Sequence, residues 1–261
     1  MRIILGGVSG HTGLEVAKRL IEMPDVEVTG AVGARSVGTD LGALLGPMAS
    51  GRTVMGSVEE AFKADGGDVY VDFTHAQAAR INALAAVPLG LRPLVGTSGL
   101  DVAAVHELKE AVLRYGVSGA VIPNFSLGAL WTRRASLAMA ENVDQVEIIE
   151  MHSRHKRDKP SGTAKDLAGA LAAMGVKAPI HSVRLDGVVA HQVVMFGLPG
   201  ETITIRHDVT SRAAYADGVA ACARALMVRQ GFFTDMGALL LEEKGIEAAP
   251  AADLPTRLGR R

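Results

Sequence analysis

Two histidines and four cations crowd the segment Glu150-Met-His-Ser-Arg-His-Lys-Arg-Asp-Lys-Pro-Ser-Gly-Thr163. Imidazole titrates closest to neutral pH among unperturbed side chains, which suits a histidine of this segment to moving protons. The cations would supply positive charge to a carboxylate ligand. Ser161-Gly162-Thr163 follow, a set that can present hydroxyls and backbone N–H groups at a helix start, where anions bind. The segment reads as a receptor for carboxylates. A solvated basic patch would explain the charge but not that ending. Zinc on His152 and His155 is the lesser alternative, because no cysteine and no nearby carboxylate pair completes a ligand set, and no metal is expected.

A second set of residues suits a dinucleotide. Gly7, Gly10 and Gly13 follow the apolar run Arg2–Leu5, where backbone without Cβ lets a pyrophosphate approach a helix N-terminus. The turn residues Gly7, Val8, Ser9, Gly10, His11 and Thr12 are the expected lining. The pattern departs from G-x-G-x-x-G, because Ser9 holds the middle position, and a purely structural turn competes with this reading. About 20 residues after the glycines an acidic residue would hold the ribose hydroxyls of NADH. Gly33-Ala34-Arg35-Ser36 stands there instead, and the Arg35 guanidinium with a neighbouring hydroxyl can meet a 2′-phosphate. NADPH is therefore expected over NADH; the competing reading of Arg35 is a solvated loop residue.

These residues need a frame. Apolar runs at Arg2–Leu5, Val26–Val32, Asp68–Phe73, Pro93–Val95 and Gly119–Ile122 read as strands. Helical patterns at Leu14–Met23, His75–Ala85 and Asp101–Arg114 alternate with them, which predicts right-handed crossovers and a Rossmann-like, doubly wound parallel sheet. After Pro123 the rhythm changes. A helix over Leu127–Glu141, a strand over Val146–Met151 and a helix over Thr163–Met174 precede strands Val183–Leu185 and Val188–Phe196, which flank Asp186-Gly187 as a tight hairpin. Leu198-Pro199-Gly200-Glu201 is a second turn, Thr202–Val209 alternates as a half-buried strand, and Ala213–Val228 returns to helix. The chain thus reads as α/β, with 1–123 and 213–261 forming the dinucleotide domain and 124–212 a second, α+β domain with a mixed open sheet. Residues 247–261, rich in Ala, Pro and Arg, are expected to be poorly ordered.

Composition narrows the class. With 48% hydrophobic and 21% charged residues over 261 positions, the chain can build packed cores. A formal net charge of -1 argues against wholesale phosphate neutralisation, so no nucleic-acid partner is expected. The single cysteine, Cys222, sits in an apolar helical pattern, and Arg2–Leu5 is too short for a signal peptide or a membrane span. A cytoplasmic protein with no membrane partner is the expectation.

The segment EMHSRHKRDKPSGTA, Glu150 to Ala164, resembles the signature E-x-H-H-x-H-K-x-D-x-P-S-G-T-A of the dihydrodipicolinate reductase family. The resemblance continues through VDFTHAQAA at Val71–Ala79, VGTSGLD at Val95–Asp101, PNFSLGA at Pro123–Ala129 and HQVVMFGLPGETITIRHDVTSR at His191–Arg212. It implies NAD(P)H-dependent reduction of a cyclic imine dicarboxylate in the diaminopimelate route to lysine, commonly by a homotetramer. It assigns His152 as catalytic acid/base, Lys156 as its cationic partner and proton donor, and Gly162 with Thr163 as a carboxylate cradle. Gly96, Thr97 and Ser98, with Ile122, Pro123, Asn124 and Phe125, would line the nicotinamide side, although Phe125 taken alone reads as core packing. The family commonly has His where this chain has Ser153, a substrate contact, and Arg-Met where it has His11-Thr12. Losing a charge-assisted hydrogen bond at 153 would cost about 1.5–3 kcal/mol. A relative reducing another cyclic imine or unsaturated carboxylate would carry the same residues; a catalytically silent NADPH-binding regulator would need neither His152 nor Lys156.

Overall fold

The computed structural model describes residues 1–241 and packs them as two compact units, Met1–Phe125 with the segment that starts at Arg212, and Ser126–Ser211. The expectation for 247–261 lies outside the described residues. No described helix is long and apolar enough to cross a membrane.

In the first unit the strands are β1 (Arg2–Gly6), β2 (Glu27–Val32), β3 (Val54–Met55), β4 (Val69–Asp72), β5 (Arg92–Val95) and β6 (Gly119–Val121). They lie in the order β3-β2-β1-β4-β5-β6, and every pairing is parallel. The order reverses direction between β1 and β4, the crevice where open α/β sheets take their ligands. Ile3, Ile4 and Leu5 of β1 are buried, as are all four residues of β4. Such continuous apolar runs mark strands covered on both faces. Between the strands run α1 (His11–Leu20), α2 (Leu41–Leu45), α3 (Val58–Asp65), α4 (Ala76–Ala86) and α5 (Val102–Tyr115). The α5 helix starts where the Asp101 carboxylate accepts from Ala104 N at 2.7 Å, buries Ala104, Leu108 and Val112 at four-residue spacing, and stops at Gly116 with φ 67°.

The second unit holds α6 (Leu127–Ala140), β7 (Gln145–His152), α7 (Gly162–Ala173), β8 (Ile180–Arg184), β9 (Ala190–Leu198) and β10 (Glu201–Val209). Its sheet runs β10-β9-β7-β8. Val146 and Ile148 of β7, with Val194 and Phe196 of β9, turn one face towards Ala140 of α6 and Ala164, Leu167 and Leu171 of α7. Glu150 and His152 continue that face by the two-residue alternation of a strand. Leu198 pairs with Glu201 across Pro199-Gly200, the second hairpin as predicted. The hairpin predicted at Asp186-Gly187 does not form. Gly187 does turn, at φ 84°, but β8 and β9 never pair: β7 lies between them, parallel to β8 and antiparallel to β9. The turn residues reverse the chain, and the apolar β7 takes both neighbours.

The chain then returns to the first unit. Arg212–Ala214 is a single 3-10 turn, so α8 (Tyr215–Val228) begins later than the predicted Ala213, and it packs on α1. Gly218 of α8 meets the Phe125 carbonyl so closely that no Cβ fits. β11 (Phe232–Phe233) extends the sheet beside β6, and α9 (Met236–Leu240) follows.

Candidate active site

The turn after β1 is closed by its own backbone. Gly7 adopts φ 80°, its N–H donates to Val32 O at 3.1 Å, and its carbonyl accepts from Gly10 N at 3.0 Å. A Cβ at Gly7 would meet the Phe73 carbonyl at 2.5 Å, and one at Gly13 would collide with the Gly7 carbonyl. Both glycines are needed to bring β1, the turn after β4 and α1 together. The helix starts at His11, three residues before the predicted Leu14, so His11 and Thr12 lie in its first turn. Its cap, Gly10, offers no side-chain acceptor, and the first turn carries no acidic residue. Backbone N–H groups left uncapped at a helix start fit a dinucleotide pyrophosphate. Ser9, Gly10 and His11 are exposed, whereas Val8 is buried.

Beyond β2, Arg35 is exposed, and the Ser36 hydroxyl is buried without a hydrogen-bond partner. An orphaned hydroxyl beside a guanidinium is a site that a phosphate oxygen would satisfy.

At the far side of the crevice stands a network that the sequence reading passed over. The fully buried Asp72 carboxylate accepts from Tyr70 Oη at 2.5 Å, Thr74 N at 2.8 Å, Thr74 Oγ1 at 2.7 Å and Thr97 Oγ1 at 2.6 Å. Burial and the adjacent carboxylate push the Tyr70 phenol well above its ordinary range, so it remains a donor. The network ties the ends of β4 and β5 together, and the Thr97 hydroxyl spends its hydrogen on Asp72. Phe125 is buried against Phe73 in an edge-to-face pair, centroids 5.8 Å apart, and a Cβ at Gly96 would strike both rings. Ile122 is buried too, whereas Ser98 and Pro123 are exposed and Asn124 is half-buried.

The second unit gathers its chemistry at the end of β7. His152 Nδ1 lies 2.5 Å from Glu150 Oε2, and Arg184 Nη2 donates to Glu150 Oε1 at 2.7 Å. A carboxylate can only accept, so Nδ1 carries the hydrogen and Nε2 is the basic nitrogen. Burial lowers the His152 pKa below the ordinary imidazole value; Glu150 works against that, while Lys156 and Arg184 add to it. Burial pushes the Glu150 carboxyl upward, but the Arg184, Ser182 and His152 side chains together outweigh burial and hold it below the usual range. Lys156 Nζ pairs with Asp158 Oδ1 at 2.9 Å, which lowers the Asp158 pKa. Ser153 opens the turn that places Lys156: its carbonyl accepts from Lys156 N at 3.0 Å, and its Oγ from His155 N at 3.4 Å.

Ser161 caps α7, accepting from Ala164 N at 3.3 Å, and Gly162 and Thr163 form the first turn. A Cβ at Gly162 would meet nothing within 4 Å, so no packing demands a glycine there, and the open space fits a carboxylate on the helix N-terminus. His152, Lys156, Ser153, Gly162 and Thr163 thus belong to one unit, and the residues expected to line the cofactor, Gly7 to Thr12, Arg35, Gly96 to Ser98 and Ile122 to Phe125, to the other. Glu150, Arg184, Asp158 and Asp72 had no role in the sequence reading. The two-residue spacing of Glu150 and His152 on a strand could have shown the first.

Family models match both parts of the chain: "Dihydrodipicolinate reductase, N-terminus" over residues 1–125 and "Dihydrodipicolinate reductase, C-terminus" over residues 128–240. The chain is 40% identical over 229 residues to a 4-hydroxy-tetrahydrodipicolinate reductase of Symbiobacterium thermophilum, covering 84% of this chain and 89% of that one. It is 36% identical over 244 residues to the enzyme of that name from Thermosynechococcus vestitus, covering 83% and 88%. Among solved structures, a dipicolinate-bound dihydrodipicolinate reductase from Paenisporosarcina sp. TG-14 superposes with a TM-score of 0.77 at 28% identity, covering 90% of this chain and 97% of that one. An amine dehydrogenase from Mycobacterium smegmatis shares the fold, with a TM-score of 0.66 at 12% identity over 88% of this chain and 93% of that one.

Proposed function

The chain belongs to the dihydrodipicolinate reductase family, and from that membership we propose that His152 and Lys156 carry the proton transfers of its reaction. It is an NAD(P)H-dependent oxidoreductase that converts 4-hydroxy-tetrahydrodipicolinate to tetrahydrodipicolinate in diaminopimelate and lysine biosynthesis. In net terms a C–OH becomes a C–H: one hydride and one proton enter, and water leaves. When bound, the reduced nicotinamide supplies the hydride and is left oxidised.

The observation that carries the assignment is the contact of His152 Nδ1 with Glu150 Oε2 at 2.5 Å, which leaves Nε2 as the basic nitrogen, with burial holding the ring's pKa below the ordinary imidazole value. Neutral Nε2 takes the proton from the carbon beside the hydroxyl-bearing one, while the Lys156 ammonium protonates the departing hydroxyl as water. Hydride then arrives at the carbon that lost oxygen, and the imidazolium returns its proton to the neighbouring carbon, so the net proton comes from Lys156. Gly162 and Thr163 hold one substrate carboxylate, and Ser153 offers a neutral donor to it. A substrate panel tests this. Good turnover of another cyclic imine, with none of 4-hydroxy-tetrahydrodipicolinate, would replace the substrate.

NADPH is the preferred donor in this reading, on the strength of Arg35, the orphaned Ser36 hydroxyl and the missing carboxylate after β2. Arg35→Ala is expected to raise the KM for NADPH about 10- to 100-fold, the worth of a charge-assisted hydrogen bond, and to leave that for NADH nearly unchanged. Kinetics with both cofactors check it, and an NADH preference that survives the substitution refutes it. A cytoplasmic homotetramer belongs to the same reading. In the second unit the sheet face bearing Ile149, Met151, Val183 and Met195 is turned away from α6 and α7, a surface suited to a second copy. Light scattering that finds a monomer at micromolar concentration removes this part.

A further inference from the structure

Glu150 is the one carboxylate of the second unit's sheet that is 0% exposed, and burying a charge is costly unless it is paired. Its pairing divides its two oxygens, Oε1 to Arg184 at 2.7 Å and Oε2 to His152 at 2.5 Å. Arg184, with its side chain 5% exposed, is itself held: Nη2 also donates to Asp158 O at 2.7 Å and Nη1 to Val183 O at 2.7 Å. Its buried Nε has no partner. A buried ion pair with an unsatisfied donor is weak ground for stability, since apolar residues of similar volume often serve as well. The direction of its contacts is more telling. They run from a fixed guanidinium through a carboxylate to the ring of His152 and end there.

We infer that Glu150 and Arg184 are positioning residues that hold His152 with hydrogen on Nδ1 and its lone pair on Nε2, an inference that rests on the catalytic reading of His152. A neutral imidazole has two tautomers, and only this one can accept a proton at Nε2. A carboxylate behind the ring selects it and stabilises the imidazolium formed when Nε2 takes a proton, as the acidic member of a catalytic triad does. Arg184 keeps that carboxylate ionised and aimed. The proton moves only between substrate carbon and Nε2; Glu150 stays an anion throughout.

The charged groups acting on His152 are Glu150 on its own strand, Arg184 on β8 and Lys156 in the following loop. Glu150 alone raises the imidazole pKa; the other two lower it. The resting base is neutral, so activity is lost as pH falls through the His152 pKa. Removing the Glu150 charge lowers that pKa further, and the acid limb moves to lower pH.

The test combines pH profiles with imidazole nitrogen NMR on the full chain. In Glu150→Gln, kcat is expected to fall about tenfold or more, with the acid limb displaced to lower pH and NADPH affinity unchanged. Glu150→Asp, which keeps the charge, should restore the limb while losing part of kcat. Glu150→Met/Arg184→Met removes both charges together and guards against misfolding of a variant with one unpaired buried charge. Because Arg184 lowers the imidazole pKa, its loss offsets part of the shift, so the limb should still lie below the parental one but by less than in Glu150→Gln, and the Nδ1–H preference should be lost. An unmoved limb in Glu150→Gln and in the double variant, with the Nδ1–H tautomer retained in the latter, overturns the inference. If His152→Ala is impaired in that case, the catalytic reading stands and only the positioning role has failed. If His152→Ala turns over at the parental rate, the catalytic reading itself has failed.

Discussion

His152→Ala is expected to lower turnover by about two orders of magnitude or more, the usual worth of a positioned acid/base, with NADPH affinity unchanged. The two halves of that expectation come from different parts of the molecule. The expected cofactor lining, from the Gly7 turn to Arg35, belongs to the first unit, and His152 ends a strand of the second. Truncating the ring leaves Glu150 Oε2 without its partner but keeps Arg184 on Oε1, so the buried carboxylate retains its countercharge. The stability loss should be confined to one unsatisfied acceptor, about 1–3 kcal/mol. Steady-state NADPH oxidation, fluorescence titration of NADPH and thermal unfolding separate these effects. Full turnover in this variant would remove the imidazole from the chemistry, whatever its contacts.

The sequence carried the β1-turn-α1 frame because each part has a local signature: an apolar run, glycines at close approaches, then Leu14, Ala17, Leu20 and Ile21 at helical spacing, of which Ala17 and Leu20 are buried. It hid the start of α1, since His11 and Thr12 contribute nothing to an apolar period and Gly10 offers no capping side chain. It hid α2 and β3 because five and two residues are too short to show a period. The α3 helix was legible and missed: Ser57 accepts from Glu60 N at 3.2 Å, the Ser-x-x-Glu pattern of a helix start. The order β9-β7-β8 was not legible, because strand pairing is a tertiary choice and Asp186-Gly187 argues only for a local reversal.

The candidate site divides along the same line. Residue type and spacing pointed to a basic loop ending in the Ser161-Gly162-Thr163 helix start, and the resemblance to the family signature singled out His152 and Lys156 within it. Arg184 stands 34 residues from Glu150 with no motif around it, and only the parallel pairing of β7 with β8 brings it alongside. Phe125 shows the reverse. Its ring is packed edge-to-face against Phe73, the core role that the residue taken alone suggests, while a nicotinamide contact is what its motif implies.

Lys156→Ala is expected to match the His152 loss, about two orders of magnitude in kcat, and also to raise the substrate KM, because the proposed mechanism uses the ammonium both as proton donor and as countercharge to a dicarboxylate. The structure gives that ammonium a partner already, Asp158, with the lysine side chain 32% and the aspartate side chain 49% exposed. An exposed pair of this kind contributes about 0–1 kcal/mol, so a doubly charged substrate can compete for the ammonium with ease. Asp158→Asn should therefore change turnover little. Lys156→Arg separates the two roles: a guanidinium keeps the charge but does not give up a proton at accessible pH. The KM should recover towards the parental value while kcat stays low. Parental kcat in Lys156→Arg would show that charge alone is required, and the net proton would then have to come from water or from another group of the loop.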